Sequence, residues 1–242
     1  ANSIQNLAKI YLILKVWLMQ FEKFEKLDIL IDNLGGWMWE YIGQIEQICK
    51  KYSKNVRIFK HSSEIENGDV MFILSCDRIL KKNSLLFHKH NIVIHASDLP
   101  KGKGWSPWTW EIESGADEIV LTLFEADEKL DSGDWYIKDR FSLEGTELID
   151  DVRRKLFDTE AKMIADFLEL YPLDSKKQAG EESFYVRRYA SNQELDTDLP
   201  LSALFNKLRV CDNERYPAHF FIEQNGEKQK YIIKVYKDLK CV

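Results

Sequence analysis

The stretch NIVIHASDLPKGKGWSP, Asn91 to Pro107, combines residue types that can move a proton and hold an anion. Ile92, Val93 and Ile94 run apolar into His95, the side chain whose ordinary pKa lies closest to neutral and which serves most readily as a general acid or base. The chain then turns polar and glycine-rich, with Lys101 and Lys103 set among Pro100, Gly102 and Gly104. Such a loop brings backbone N–H and ammonium groups close to an anion. For either lysine singly, a solvated connection is the plainer reading.

A second stretch, FEADEKLDSGDWYI from Phe124 to Ile137, gathers Glu125, Asp127, Glu128, Asp131 and Asp134. A solvated acidic loop would account for most of them. Asp131, however, stands two residues before Gly133, at the mouth of the strand that follows. If the two loops meet at one sheet edge, Asp131 can orient the imidazole of His95 and raise its basicity. His88 and His90 have the spacing of a metal pair, but no acid or cysteine stands at ligand spacing beside them, and no metal is expected.

These residues need a framework. Short, mostly apolar segments at 27–33, 55–60, 69–75, 91–95, 118–126 and 134–143 read as strands. Several are separated by helix-length connections, which predicts an α/β body with a buried, mostly parallel sheet flanked by helices. Ser106-Pro107 opens a short helix that Gly115 ends, and a longer amphipathic helix runs from about Thr146 to Leu170, stopped by Pro172. His95 then falls at the carboxyl end of a strand, where ligands of open α/β sheets bind. From residue 173 the texture changes. A polar loop, LDSKKQAGEES, precedes a short helix and a hairpin with Asn225-Gly226 at its turn. The expected organisation is a helical extension or leader over 1–26, a body over 27–172 and a small subdomain with helix and β-hairpin over 173–242.

Composition narrows the partners. The chain has 242 residues, enough for a sizeable core, and 40 acids against 34 bases give a net charge of -6. Nonspecific grip on a polyanion depends on excess Lys and Arg, so this balance argues against nucleic acid, although a local basic cluster can still hold one or two phosphates. Cys49, Cys76, Cys211 and Cys241 show neither CxxC nor zinc-like spacing and fit a reduced, cytoplasmic protein. The apolar run IYLILKVWLM is too short to span a bilayer and is interrupted by Lys15. Membrane insertion is not expected. The apolar leader and the hairpin suggest a homodimer.

The segments IHASDLPKGKGWSP and LDSGDWYI together resemble the formyltransferase family that uses N10-formyltetrahydrofolate. Its pattern is N-x-H-x-S-x-L-P, a glycine-rich turn ending in proline, and then D-x-G near a strand start. His95, Ser97, Leu99, Pro100, Gly104, Pro107, Asp131 and Gly133 match it. RILKKNSLL (78–86) is similar to the family's I-L-P-x-x-x-L segment, with Lys81 where proline is common. The resemblance covers about Leu27 to Leu143. FYVRRYASNQELD and the Tyr216-Pro217-Ala218 stretch with its hairpin look like the tail of sugar N-formyltransferases, and the wording around His95 is most similar to pseudaminic-acid-pathway enzymes.

The resemblance implies a Rossmann-like formyltransferase fold. It implies a formyl group carried from N10-formyltetrahydrofolate to the amine of a nucleotide-linked amino sugar, a UDP-4-amino sugar in the pathway named, for glycan biosynthesis. His95 and Asp131 would be catalytic. Arg78, Ile79, Leu80, Lys81, Asp127 and Leu130 would wall the folate. Lys101, Lys103 and Trp105, with Arg187 or Arg188, would take the sugar and pyrophosphate. Trp105, Trp108 and Trp110 fit core or lid packing equally well. One slot departs from the family: Val93 stands where an asparagine normally helps hold the formyl oxygen. Asn91 would lie roughly 13 Å from His95 at about 3.3 Å per strand residue, too far to substitute. Methionyl-tRNA formyltransferase, a formyltetrahydrofolate hydrolase and a non-catalytic folate or sugar-nucleotide binder remain alternatives.

Overall fold

The computed structural model describes residues 23–238, so the expected leader over 1–26 lies outside the described residues except for 23–26. The chain forms two compact units, one up to Asn91 and one from Ile92 onward.

The first unit holds β1 (Leu27–Leu30), α1 (Ile42–Cys49), β2 (Val56–Phe59), β3 (Gly68–Ile73), α2 (Lys82–Leu85) and the beginning of β4 (His88–His95). β2 and β3 flank β1 and run parallel to it, with Leu27 opposite Val56 on one side and Val70 on the other. All four residues of β1 are buried, as a parallel strand covered on both faces requires. That burial includes Asp28. Its carboxylate accepts from Arg57 Nε at 2.8 Å and Nη2 at 2.6 Å, and lies 2.5 Å from His88 Nε2. A desolvated carboxylate is tolerable only with such partners. Asn91, also buried, donates Nδ2 to the Leu85 carbonyl.

The second unit takes in the end of β4, β5 (Lys103–Gly104), α3 (Pro107–Glu113), β6 (Glu118–Glu125), β7 (Trp135–Ser142) and α4 (Ile149–Leu170). It continues with β8 (Phe184–Tyr185), α5 (Leu201–Arg209), β9 (Ala218–Gln224) and β10 (Glu227–Ile233). The α/β class expected from the sequence is the class observed. β1, β2 and β3 of the first unit run parallel, and in the second unit the short strands β5 and β8 also pair parallel. In the second, β4 pairs antiparallel with β6, His95 facing Thr122, and β6 pairs antiparallel with β7. A direct loop joins β6 to β7, and an antiparallel pair needs no helical crossover.

α4 buries Ile149, Val152, Leu156, Phe157, Glu160, Met163, Ile164, Phe167 and Leu168, the three- and four-residue spacing of one helix face. Its start is held by Glu147, which accepts the N–H groups of Glu144 and Gly145 and the ammonium of Lys155. Burial works against that carboxylate, but these partners outweigh it and lower its pKa to about 2. Towards the C-terminus, Leu195, Leu208, Cys211 and Ala218 form a small core under α5 and the β9–β10 hairpin. The hairpin turns at Asn225 and Gly226, with φ of 56° and 78°, the left-handed pair a two-residue turn demands. Burial raises the thiols of Cys49 and Cys76 to about 12 and that of Cys211 to about 11, so all three stay protonated at neutral pH. Among the described residues, no helix is long and apolar enough to cross a membrane, and no group of three His, Cys, Asp or Glu side chains could hold a metal ion.

Candidate active site

The site is built on the carboxyl end of β4. Thr122, opposite His95 on β6, donates its hydroxyl to the Ser97 carbonyl at 2.7 Å and accepts the Leu99 N–H at 3.3 Å. Lys138 on β7 donates to the Leu99 carbonyl at 2.7 Å and to Asp98 at 2.5 Å. The chain leaving His95 is therefore tied to β6 and, beyond it, to β7. It turns at Gly102 and passes through β5. There Gly104, at φ 102°, lies so close to β8 that a Cβ would sit 2.3 Å from the Tyr185 carbonyl oxygen. Only glycine fits that approach.

The two loops singled out by sequence do meet. Nε2 of His95 lies 2.8 Å from the carbonyl oxygen of Gly102 and 3.7 Å from Oδ2 of Asp131. Both neighbours are acceptors, so Nε2 carries the proton in the neutral ring. Nδ1 has no hydrogen-bond partner among the described residues and keeps its lone pair. Asp131 adopts φ 46°, which an aspartate tolerates, and its Oδ2 accepts the Gly104 N–H at 2.8 Å. Gly133 permits the loop to close: a Cβ there would lie 1.6 Å from the Glu125 carbonyl oxygen. His95 and Asp131 expose only 11% and 12% of their side chains. A base with a partly screened counter-charge is the arrangement that takes a proton from an attacking nucleophile.

Val93 shares the His95 face of β4, two residues back, and is paired with buried Phe124. No carboxamide stands in that slot, and Asn91 is committed to Leu85. Lys103 is 2% exposed, and its ammonium donates to Glu182 at 2.7 Å and to Ser132 at 3.3 Å. It would reach a phosphate only by giving up Glu182. Lys101 is exposed. The exposed Arg187 guanidinium lies 4.4 Å over the ring of half-buried Trp105. Arg188 bonds Glu113 at 2.7 Å and Gln193 at 3.1 Å and stacks on Trp110, so its side chain joins α3 to the segment before α5. Asp127 is exposed and Leu130 half-buried. In the first unit, Leu80 is buried while Arg78, Ile79 and Lys81 are exposed.

Two features escaped the sequence reading. Glu111 on α3 has an oxygen 3.3 Å from the position a Gly102 Cβ would take, beside Ser97 and Tyr185. Burial and then Asp98 raise its carboxyl to about 7. Its helical position carries no sign of this. The other is the polar run after α4, which lies along the His95 and Asp131 loops instead of leading away from them. Gln178 donates to the carbonyls of Asp131 and Gly133, and Ser183 accepts the Gly102 N–H. A segment rich in Lys, Gln, Glu and Ser looks the same whether water or protein satisfies it.

A glycine-shaped turn after a strand-end histidine, with an aspartate brought beside it from a D-x-G loop, is now defined in three dimensions. Residues 48–168 match the model of a family described as formyl transferase, half of the chain and the part that carries His95 and Asp131. The chain belongs to the formyl transferase family. A curated relative, methionyl-tRNA formyltransferase of Thermosipho melanesiensis, is 25% identical over 180 residues, which are 69% of this chain and 57% of that protein. The chain thus spans a little over half the length of that relative. A sugar N-formyltransferase from a Shewanella species superposes with a TM-score of 0.64 at 16% identity, over 89% of this chain and 98% of that one. HypX of Aquifex aeolicus, solved with tetrahydrofolic acid, gives 0.68 at 15% identity over 85% of this chain and 37% of its own. Both structural likenesses establish the formyl transferase fold.

Proposed function

We propose that this protein transfers the formyl group of N10-formyltetrahydrofolate to the amino group of a nucleotide-linked aminodeoxy sugar. The observation that carries the reading is the His95–Asp131 pair with Nδ1 of His95 unpartnered. The donor supplies an electrophilic formyl carbon. Nδ1 takes the proton that the acceptor amine loses as it attacks, and the carboxylate of Asp131 stabilises the imidazolium so formed. His95, once protonated, returns that proton towards the departing nitrogen. For the folate, Ile79, an apolar side chain 55% exposed, suits a flat ring, with its chain neighbours Arg78, Leu80 and Lys81 as further contacts.

On the acceptor side, Trp105 with the Arg187 guanidinium above it offers a ring face and a cation to a nucleotide, and exposed Lys101 adds a second charge. The net charge of -6 favours such a small acceptor over tRNA. A UDP-4-amino sugar of the pseudaminic-acid type is the form we propose, in the cytoplasm and in a homodimer. Transfer to methionyl-tRNA is the second reading, favoured by the name of the curated relative. The test is incubation with N10-formyltetrahydrofolate and, separately, UDP- and dTDP-amino sugars, methionyl-tRNA or no acceptor. A formylated sugar supports the proposal, and formylated methionyl-tRNA replaces it. Donor turnover without acceptor indicates a hydrolase, and donor binding without turnover a non-catalytic module, the outcome Val93 would favour.

A further inference from the structure

The peptide that His95 leans on is itself held from outside the two catalytic loops. Nε2 of His95 donates to the carbonyl of Gly102, and the N–H of that same peptide unit, on Lys103, donates to the Ser183 carbonyl at 2.9 Å. The preceding peptide is held as well, because the Gly102 N–H donates to Ser183 Oγ at 2.8 Å. A carbonyl whose own peptide N–H is hydrogen-bonded is a better acceptor, since linked hydrogen bonds polarise one another. A few residues earlier, Gln178 Nε2 donates to the carbonyls of Asp131 at 3.0 Å and Gly133 at 2.9 Å. Between them, Glu182 takes the buried ammonium of Lys103, which also reaches Ser132. The segment from Gln178 to Ser183 therefore grips the histidine's acceptor at one end and the aspartate's loop at the other.

We propose that Ser183 and Gln178 are positioning residues for the reaction: the Ser183 hydroxyl, by holding the Gly102 N–H, fixes the residue whose carbonyl accepts from His95 Nε2 and with it the Nε2–H tautomer, and Gln178 fixes the Asp131 loop against it. The inference rests on the formyl-transfer reading for its kinetic consequence but not for its structural one. Neither side chain touches the reacting atoms. Their effect passes through the angle and protonation of the imidazole, so it falls on turnover and not on affinity.

The experiment uses the full chain labelled with 15N in histidine, whose ring shifts distinguish the two neutral tautomers and the imidazolium. The wild type is expected to hold a single Nε2–H tautomer when His95 is neutral. Ser183→Ala is expected to populate both tautomers and to lower kcat about tenfold with KM for both substrates unchanged. Ser183→Thr, which keeps the hydroxyl, is expected to restore both readings. Gln178→Ala is expected to lower kcat by a similar factor, about tenfold, and to move the pH profile of kcat, because the carboxylate no longer sits at a fixed distance. Mixed tautomers in the wild type, or a Ser183→Ala protein with unchanged ring shifts, would overturn the proposal even if formyl transfer is established. A correctly shifting tautomer in a protein that formylates nothing would overturn the functional reading alone.

Discussion

Oδ2 of Asp131 stands 3.7 Å from Nε2 of His95, beyond hydrogen-bond reach, while the Gly102 carbonyl holds the same nitrogen at 2.8 Å. The backbone therefore orients the ring, and the aspartate acts as a nearby charge. Such a carboxylate does little for the neutral imidazole and more for the imidazolium. His95→Ala is expected to lower formyl transfer by about 10²–10⁴-fold while leaving the fold intact, the usual worth of a positioned acid–base group. Asp131→Asn keeps the Gly104 contact through its amide oxygen and loses only charge. It should cost less than His95→Ala, and rates for both variants measured under saturating donor check the order. A normal rate for Asp131→Asn would remove Asp131 from the mechanism.

Val93 sits on the imidazole face of β4, and replacing it by asparagine puts a carboxamide donor beside the reacting centre. One donor aimed at a developing oxyanion is worth about 10²–10³ in rate when it is preorganised. Val93→Asn is therefore expected to raise kcat, at the expense of some stability, because a polar amide replaces an apolar side chain packed opposite Phe124. Single-turnover rates of the two proteins test it. An unchanged rate would mean that the protein already supplies that donor from elsewhere.

Much of this framework could be read directly from the residues. The strands around His95 and Asp131, the helix begun by Ser106-Pro107 and the Asn225-Gly226 hairpin follow from apolar pattern and turn chemistry, which are local. The meeting of His95 with Asp131 was legible because glycines mark both loops, and Gly104 and Gly133 are each demanded by a close backbone approach. The roles of Lys103 and Arg188 were not. A basic side chain in a loop reads as available charge, and only the fold shows Glu182 already holding the first and Glu113 the second. The antiparallel run of β6 and β7 was hidden for a related reason, since buried strands of either direction are apolar.

Gly133 has no freedom to become anything else. With the Glu125 carbonyl oxygen 1.6 Å from where its Cβ would be, even alanine forces the two strand ends apart. Gly133→Ala is expected to cost about 3 kcal/mol or more of stability, at the upper end of the range for overpacking. Because the same loop carries Asp131, it should also lose most activity at temperatures where it remains folded. Thermal melting followed by assay of the folded fraction checks both. A variant of wild-type stability would show that the loop closes differently.

Glu160 offers a test of the body that is independent of the chemistry. It lies on the apolar face of α4, and its Oε2 has no hydrogen-bond partner. Burial alone raises its carboxyl to about 8, against the ordinary value of 4.5 that the unfolded chain retains. Between these two values the folded protein keeps a proton that the unfolded chain has released. Stability therefore falls as pH rises through that window, and the loss from this group is complete above pH 8. Glu160→Gln removes the titration while keeping the shape. Its advantage over the wild type should be small near pH 4.5, grow steadily towards pH 8, and reach a few kcal/mol at most. Urea denaturation of the two proteins across that range measures the difference, and a constant offset at all pH values would show that Glu160 is ionised in the folded state.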